Sequence, residues 1–232
     1  MLVYNQADPT WNGTISESGA ATYRNALNQD VTVNFSQIES VVVCFAAGTM
    51  IDTADGERPI NALMVGDLVR TADHDYQPIR WIGSSKVAAT GSVAPILIKA
   101  GALGNTRDLK VSPQHRLLLG GWEAEILFGD AEVLVAAKHL VNDSTILRVE
   151  GGEVEYFQML FDTHEIVFAE GAPSESFHAG EVGYGALAEE ARAEILTLFP
   201  ELQMGDFGKY GTSSRCTLKA NEGIVAGEMI SR

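Results

Sequence analysis

Apolar and polar residues alternate in short runs along most of this chain, and glycines and other turn residues separate the runs. Runs of four to eight residues with a period of two are typical of half-buried β-strands, and short apolar β-branched runs are typical of buried ones. The clearest predicted strands are residues 31–35, 41–45, 68–69, 78–87, 95–101 and 164–171. Strand signals at this short, regular spacing predict an all-β body.

Turn residues predict hairpins at two places in this pattern. Asp55-Gly56 lies between two short strand-like segments and suits a two-residue hairpin loop, which needs positive φ. Gly151-Gly152 separates two further strand-like runs and predicts a second hairpin.

The C-terminal part has a different period. Residues 186–199 carry apolar side chains at helical spacing, and Pro200 follows them, so we expect one helix that packs on the β body. The apolar positions are Leu187, Ala191, Ile195 and Leu198.

Composition excludes several classes of function. The net charge is −15, from 31 acidic and 16 basic side chains, which disfavours nucleic acid and anionic membranes as partners. No signal peptide or transmembrane run is visible, so we expect a soluble protein of unknown compartment. The two cysteines form no Cys-x-x-Cys pair and the histidines are scattered, so we predict no cofactor and no metal site.

Four short blocks carry the candidate chemistry. The first block joins residues 44–49 (C-F-A-A-G-T) with residues 63–69 (L-M-V-G-D-L-V). The later blocks are residues 111–118 (V-S-P-Q-H-R-L-L), 134–140 and 164–171. Together they resemble the Hedgehog/intein (Hint) family, in a bacterial branch, over residues 44–177.

The resemblance implies a domain organisation and a fold. Residues 1–43 would be a short N-terminal segment and residues 44–177 a Hint autoprocessing domain with a pseudo-twofold β horseshoe. Residues 178–232 would be an extension with one helix.

The chemistry that the resemblance implies begins at Cys44. A cysteine thiolate can attack the carbonyl carbon that precedes its own nitrogen, here that of Val43, to form a thioester. The departing amide nitrogen must be protonated, which an imidazole can do near neutral pH, and His115 is the candidate acid. Ser112 is the candidate for a hydrogen bond to the scissile amide.

The second step uses an external nucleophile according to the same resemblance. Inteins end in His-Asn followed by Cys, Ser or Thr, and residues 164–177 contain no such pair. Water, a small thiol, an amine or another alcohol would therefore resolve the thioester, giving single-turnover self-cleavage rather than splicing. Asp162 and His164 stand where the family has late active-site groups, whereas Gln158 replaces a histidine that bacterial relatives often have.

Each of these residues also has a plain structural interpretation. Cys44 in an apolar run is also typical of a buried core thiol, His115 of a packed histidine and Ser112 of a turn cap. Two functional hypotheses stay open: an autoprocessing domain that acts on its own N-terminal segment, and a catalytically silent module for binding or assembly. A third possibility is a β domain unrelated to Hint.

Overall fold

The computed structural model describes residues 18–24, 30–36, 43–178, 195–196, 198–199 and 211–230. The chain divides into two compact units, Met1–Ser40 and Val41–Arg232. In the first unit, β1 (Ser18–Arg24) pairs antiparallel with β2 (Asp30–Ser36), and β2 covers the strand predicted at residues 31–35.

The described part of the second unit is built mainly from short strands, with two α-helices described over their full length and three single turns of 3₁₀-helix. The strands are β3 Phe45–Ala46, β4 Met50–Thr53, β5 Gly56–Pro59, β6 Leu68–Arg70, β7 Tyr76–Pro78, β8 Trp81–Ala88, β9 Ile96–Ile98, β10 Leu109–Val111, β11 Arg116–Gly120, β12 Glu132–Ala136, β13 Ile146–Arg148, β14 Glu153–Leu160, β15 Ile166–Ala169, β16 Ala172–Glu175 and β17 Cys216–Thr217. The helices are α1 Trp122–Phe128 and α2 Ala220–Ile230, and the 3₁₀ turns are Ile60–Ala62, Gly91–Val93 and Ala137–His139.

The strands of the second unit form two sheets. One has the order β13-β9-β10-β3-β14-β8, and the other has the order β17-β12-β11-β16-β15-β4-β6-β7, with β5 on β4. Among the described strands every pairing is antiparallel except that of β12 with β17, which is parallel. The predicted mostly β body with a C-terminal helical extension is confirmed.

One apolar cluster holds both sheets together. Strand β10 illustrates why the chain folds in this way, since Leu109 and Val111 are buried while Lys110 between them is exposed. Burying each such side chain contributes roughly 1.5–3 kcal/mol relative to leaving it in water. Within the described ranges, no helix has both the length and the apolar character that crossing a membrane requires.

The two predicted hairpins have different outcomes. Strands β4 and β5 form a hairpin, but Thr53 pairs with Gly56, so the loop residues are Ala54 and Asp55. Gly56 is the first residue of β5, and it keeps the positive φ, 92°, that a glycine tolerates.

The hairpin predicted at Gly151-Gly152 is wrong. Strand β13 pairs with β9, whereas β14 pairs with β3 and β8, so the two strands that flank the glycines lie apart in the sheet. Both glycines have positive φ, as a turn would require. The local signal is real, but pairing with strands distant in sequence determines the topology.

The C-terminal part contains one helix that the sequence predicted and one that it did not. The helix predicted at residues 186–199 lies largely outside the described residues, but Ile195, Leu196 and Leu198 are helical, and the Phe199 amide donates to the Ile195 carbonyl at 2.8 Å. Helix α2 was not predicted, because Gly223 and Gly227 lower helix propensity. Both glycines face the 3₁₀ turn Ala137–His139, where a larger side chain would not fit.

We expect Gly227→Ala to lower the free energy of unfolding by about 1–3 kcal/mol, because its Cβ would come within 2.4 Å of the His139 carbonyl oxygen. A backbone atom cannot move aside without displacing the 3₁₀ turn. Urea unfolding of the full chain measures the change, with Glu228→Ala, an exposed position of the same helix, as the control. Equal or greater stability of Gly227→Ala would contradict this packing.

Candidate active site

Cys44 immediately precedes the shortest strand of the six-stranded sheet and is 3% exposed. Strand β3 lies between β10 and β14, with Phe45 opposite Val111 on one side and opposite Phe157 on the other. This position brings Cys44 next to the residue that follows β10 and to a side chain within β14. These neighbours are Ser112 and Gln158.

Two reciprocal hydrogen bonds hold the backbone of Cys44 against Ser112. The Cys44 amide donates to Ser112 Oγ at 3.1 Å, and the Ser112 amide donates to the Cys44 carbonyl at 2.9 Å. Val43 itself is half-buried. The amide that would be cleaved is therefore fixed in orientation through its own N–H.

The Cys44 thiol is protonated at neutral pH. Burial raises the pKa of Cys44 to about 12, although hydrogen bonds with Gln158 and Ser112 lower it in part. Gln158 Nε2 donates to Cys44 Sγ at 3.1 Å, and an amide cannot take up the thiol proton as an imidazole would. Attack by Sγ consequently needs a separate proton acceptor.

His115 lies in the turn between β10 and β11. Its amide donates to the Ser112 carbonyl at 3.1 Å, and its own carbonyl accepts from the Ala137 amide at 2.8 Å. The buried ring packs edge-on against Phe45, with centroids 4.3 Å apart. Neither ring nitrogen has a hydrogen-bond partner within the described part of the chain.

The His115 imidazole is neutral at pH 7. Burial lowers the pKa of His115 to about 4, and the negative charge of Glu175 opposes this effect. A neutral imidazole with free ring nitrogens has the chemistry to accept a proton and then to donate it.

His164 belongs to a second group of buried side chains, and its own side chain is 0% exposed. Its Nδ1 accepts from the Ser214 amide at 3.0 Å, so the ring proton lies on Nε2. Nε2 is 3.4 Å from Glu175 Oε2, and the two atoms do not form a hydrogen bond. The His178 ring lies edge-on at 5.0 Å.

Glu175, which the sequence did not single out, joins this group from β16. Its Oε1 accepts from the Arg116 amide at 2.8 Å, and its Oε2 accepts from Arg116 Nη1 at 3.0 Å. Burial raises the pKa of Glu175, but contacts with His164 and Arg116 outweigh it and leave the pKa below its usual value. The only hint in the sequence is a carboxylate at the end of a short strand whose other residues are small.

Asp162 lies apart from these groups. Its side chain is 61% exposed and its Oδ1 is 3.1 Å from Arg80 Nε. No contact joins it to Cys44, Ser112 or His115 in the part of the chain that the structure describes. The roles assigned to all five candidates stay predictions.

The described residues offer no evident metal site, since no group of three or more His, Cys, Asp or Glu side chains among them is arranged to hold an ion. The buried Cys44 thiol, the Ser112 hydroxyl and the neutral His115 ring suit acyl transfer, in which a carbonyl carbon changes its bonding partner from nitrogen to sulfur.

A family model described as "Hint domain" matches residues 43–181, well over half of the chain. The solved structures that resemble the chain include the bacterial intein-like domain of Clostridium thermocellum, with 15% identity and a TM-score of 0.40 over 57% of this chain and 97% of that one. A DnaB intein from Synechocystis sp. has 14% identity and a TM-score of 0.37, again over 57% and 97%. No curated protein matches. On the family match, the chain belongs to the Hint domain family, a family of self-processing domains.

Proposed function

We propose that the chain cleaves itself between Val43 and Cys44 through an N-to-S acyl shift. The observation that supports this most directly is the hydrogen bond from the Cys44 amide to Ser112 Oγ, which fixes the N–H of the scissile amide on the residue whose Sγ would attack. The family match also begins at residue 43, next to this bond.

The first step moves one acyl group and one proton. Cys44 Sγ attacks the Val43 carbonyl carbon while its thiol proton leaves, and the carbon–nitrogen bond then breaks as that nitrogen gains a proton. The product is a thioester between Val43 and Sγ with a free α-amine on Cys44. Because the thiol loses one proton and the amine gains one, no external acid is consumed.

His115 is the group proposed to carry this proton. With its pKa lowered to about 4 by burial, the ring is neutral and can first accept the thiol proton, then deliver it to the departing nitrogen. Residues 112–115 form a turn closed by the hydrogen bond from the His115 amide to the Ser112 carbonyl. This turn keeps the proposed proton carrier, His115, close to the Ser112 hydroxyl.

The second step proposed is attack on the thioester by an external nucleophile. Residues 164–178 contain no asparagine, so the cyclisation that ends intein splicing lacks its reactant there. Water, a thiol, an amine or another alcohol would release residues 1–43 and regenerate the Cys44 thiol. Residues Met1–Ser40 form a compact unit of their own, which supports their release as a separate piece.

A second candidate function is a Hint module that does not react. The raised pKa of Cys44 and the amide of Gln158 at its Sγ favour this alternative, because both leave the thiol without an adjacent base. In that case the buried thiol would serve packing alone.

Intact mass spectrometry of the purified chain with and without dithiothreitol separates the two functions. We expect a thiol-dependent fragment that ends at Val43, because dithiothreitol exchanges into a thioester and not into an amide. Cys44→Ala abolishes the fragment if the route is correct, whereas Cys216→Ala, at the exposed second cysteine, leaves it unchanged.

An intact mass for the wild-type chain in every sample would reject self-cleavage under thiol and favour the silent module. A fragment that persists in Cys44→Ala would reject the thioester route and indicate another protease.

We expect Gln158→His to raise the rate of thiol-dependent cleavage by at least about tenfold, because an imidazole at 3.1 Å from Sγ can accept the thiol proton. The matched control is Gln77→His, the same substitution on strand β7. The measurement is the rate of fragment appearance at pH 7. A rate equal to or below that of the wild-type chain would show that Gln158 does not limit the thiol.

A further inference from the structure

A single buried carboxylate, Glu175, reaches both histidines that the sequence singles out. Its Oε1 accepts from the Arg116 amide at 2.8 Å, and that N–H belongs to the peptide bond between His115 and Arg116. The carboxylate therefore fixes the backbone directly after the proposed proton carrier. This contact is possible because β16 pairs with the neighbouring strand β11, where Ser174 lies opposite Leu117.

The other oxygen of the Glu175 carboxylate lies beside Arg116 and His164. Oε2 accepts from Arg116 Nη1 at 3.0 Å and lies 3.4 Å from His164 Nε2. Because the Ser214 amide occupies Nδ1 of the same ring, Nε2 is the nitrogen that faces the carboxylate, although the two atoms do not form a hydrogen bond. Ser214 thus fixes the tautomer of His164 from one side, and the Glu175 carboxylate contacts the same ring from the other.

We propose that Glu175 is the positioning residue of this site, which acts on His115 through the following peptide bond and on His164 through its ring. The proposal rests on the proposed function, in which His115 transfers the thiol proton to the departing amide nitrogen. Glu175 touches neither reacting atom, so its contribution passes through the two histidines.

The charge of Glu175 matters as well as its geometry. Arg116, His164 and His178 surround the carboxylate from β11, the loop before β15 and the segment after β16. While His115 carries the proton in transit it is a buried cation, and the carboxylate stabilises that cation against burial and against the positive charge of Arg116. The anion would therefore lower the barrier for the transfer.

Glu170 provides a natural comparison for this arrangement. It is also buried, and its Oε1 accepts from the Met50 amide at 2.7 Å while its Oε2 pairs with Arg107 Nε. The two carboxylates have the same kind of partners, one amide and one arginine, but among the described residues no histidine pairs with Glu170. Glu170→Gln therefore removes a buried charge with the same kinds of partners as Glu175→Gln does. It leaves the proposed positioning of the two histidines intact.

The test compares Glu175→Gln with Glu170→Gln in the full chain, using two measurements. The first is the NMR titration of the His115 ring in a Cys44→Ala background, which needs no cleavage. The second is the rate of thiol-dependent cleavage at pH 7 with Cys44 intact. Circular dichroism establishes that each variant is folded.

We expect the His115 titration midpoint, about 4 in the reference chain, to move to lower pH in Glu175→Gln and to stay in Glu170→Gln. The cleavage rate should fall about tenfold for each unit that the His115 pKa falls, and Glu170→Gln should stay within about twofold of the reference. Glu175→Asp, which keeps the charge, should return the His115 midpoint toward that of the reference.

An unchanged His115 midpoint in folded Glu175→Gln overturns the proposal, whatever happens to stability. If Glu175→Gln does not fold, the proposal is decided by comparing the double variant Glu175→Gln/Arg116→Gln, which leaves neither charge of the buried pair without its partner, with Arg116→Gln alone. A His115 midpoint at lower pH in the double variant than in Arg116→Gln supports the proposal, and equal midpoints overturn it. Absence of cleavage in every chain, including the reference, counts against the proposed function alone, because the titration still decides the role of Glu175.

Discussion

Strand β3 contains two residues, yet it is hydrogen-bonded on both edges, and this confinement determines which groups surround Cys44. The preceding residue has to lie between the end of β10 and the middle of β14, where a serine hydroxyl and a glutamine amide meet it. A shift of one residue in the register of β3 would turn Cys44 to the other face of the sheet. The site therefore depends on a pairing formed by very few backbone hydrogen bonds, supported by the buried ring of Phe45.

Burial of this peptide has opposite consequences for the two ionisable groups beside it. The same exclusion of water that raises the pKa of Cys44 to about 12 lowers that of His115 to about 4. The side chains of Cys44 and His115 are both neutral before the reaction, so they do not form an ion pair with each other. Any reaction must create a charge pair transiently, and the fixed anion of Glu175 can stabilise the positive member of that pair.

Local motifs identified much of this site, and distant pairings explain the rest. Cys44, Ser112 and His115 were predicted because each belongs to a block whose spacing is legible within a few residues. Glu175 was missed because its hydrogen-bond partner Arg116 lies on β11, 59 residues earlier in the sequence. The wrong hairpin at Gly151-Gly152 has the same origin, since β14 satisfies its hydrogen bonds with β3 and β8 rather than with its predecessor.

The C-terminal helix α2 lies beyond the residues that match the family, yet it supports the turn that carries His115. It packs on the 3₁₀ turn Ala137–His139, and the amides of Ala137 and Lys138 in turn hold the carbonyls of His115 and Pro113 at 2.8 and 3.0 Å. The limit of family resemblance is therefore not the limit of the folding unit. A fragment designed to end where the similarity ends would lack α2, and the turn that carries His115 would lose its outer support. The stability of such a fragment would be lower than that of the 232-residue chain.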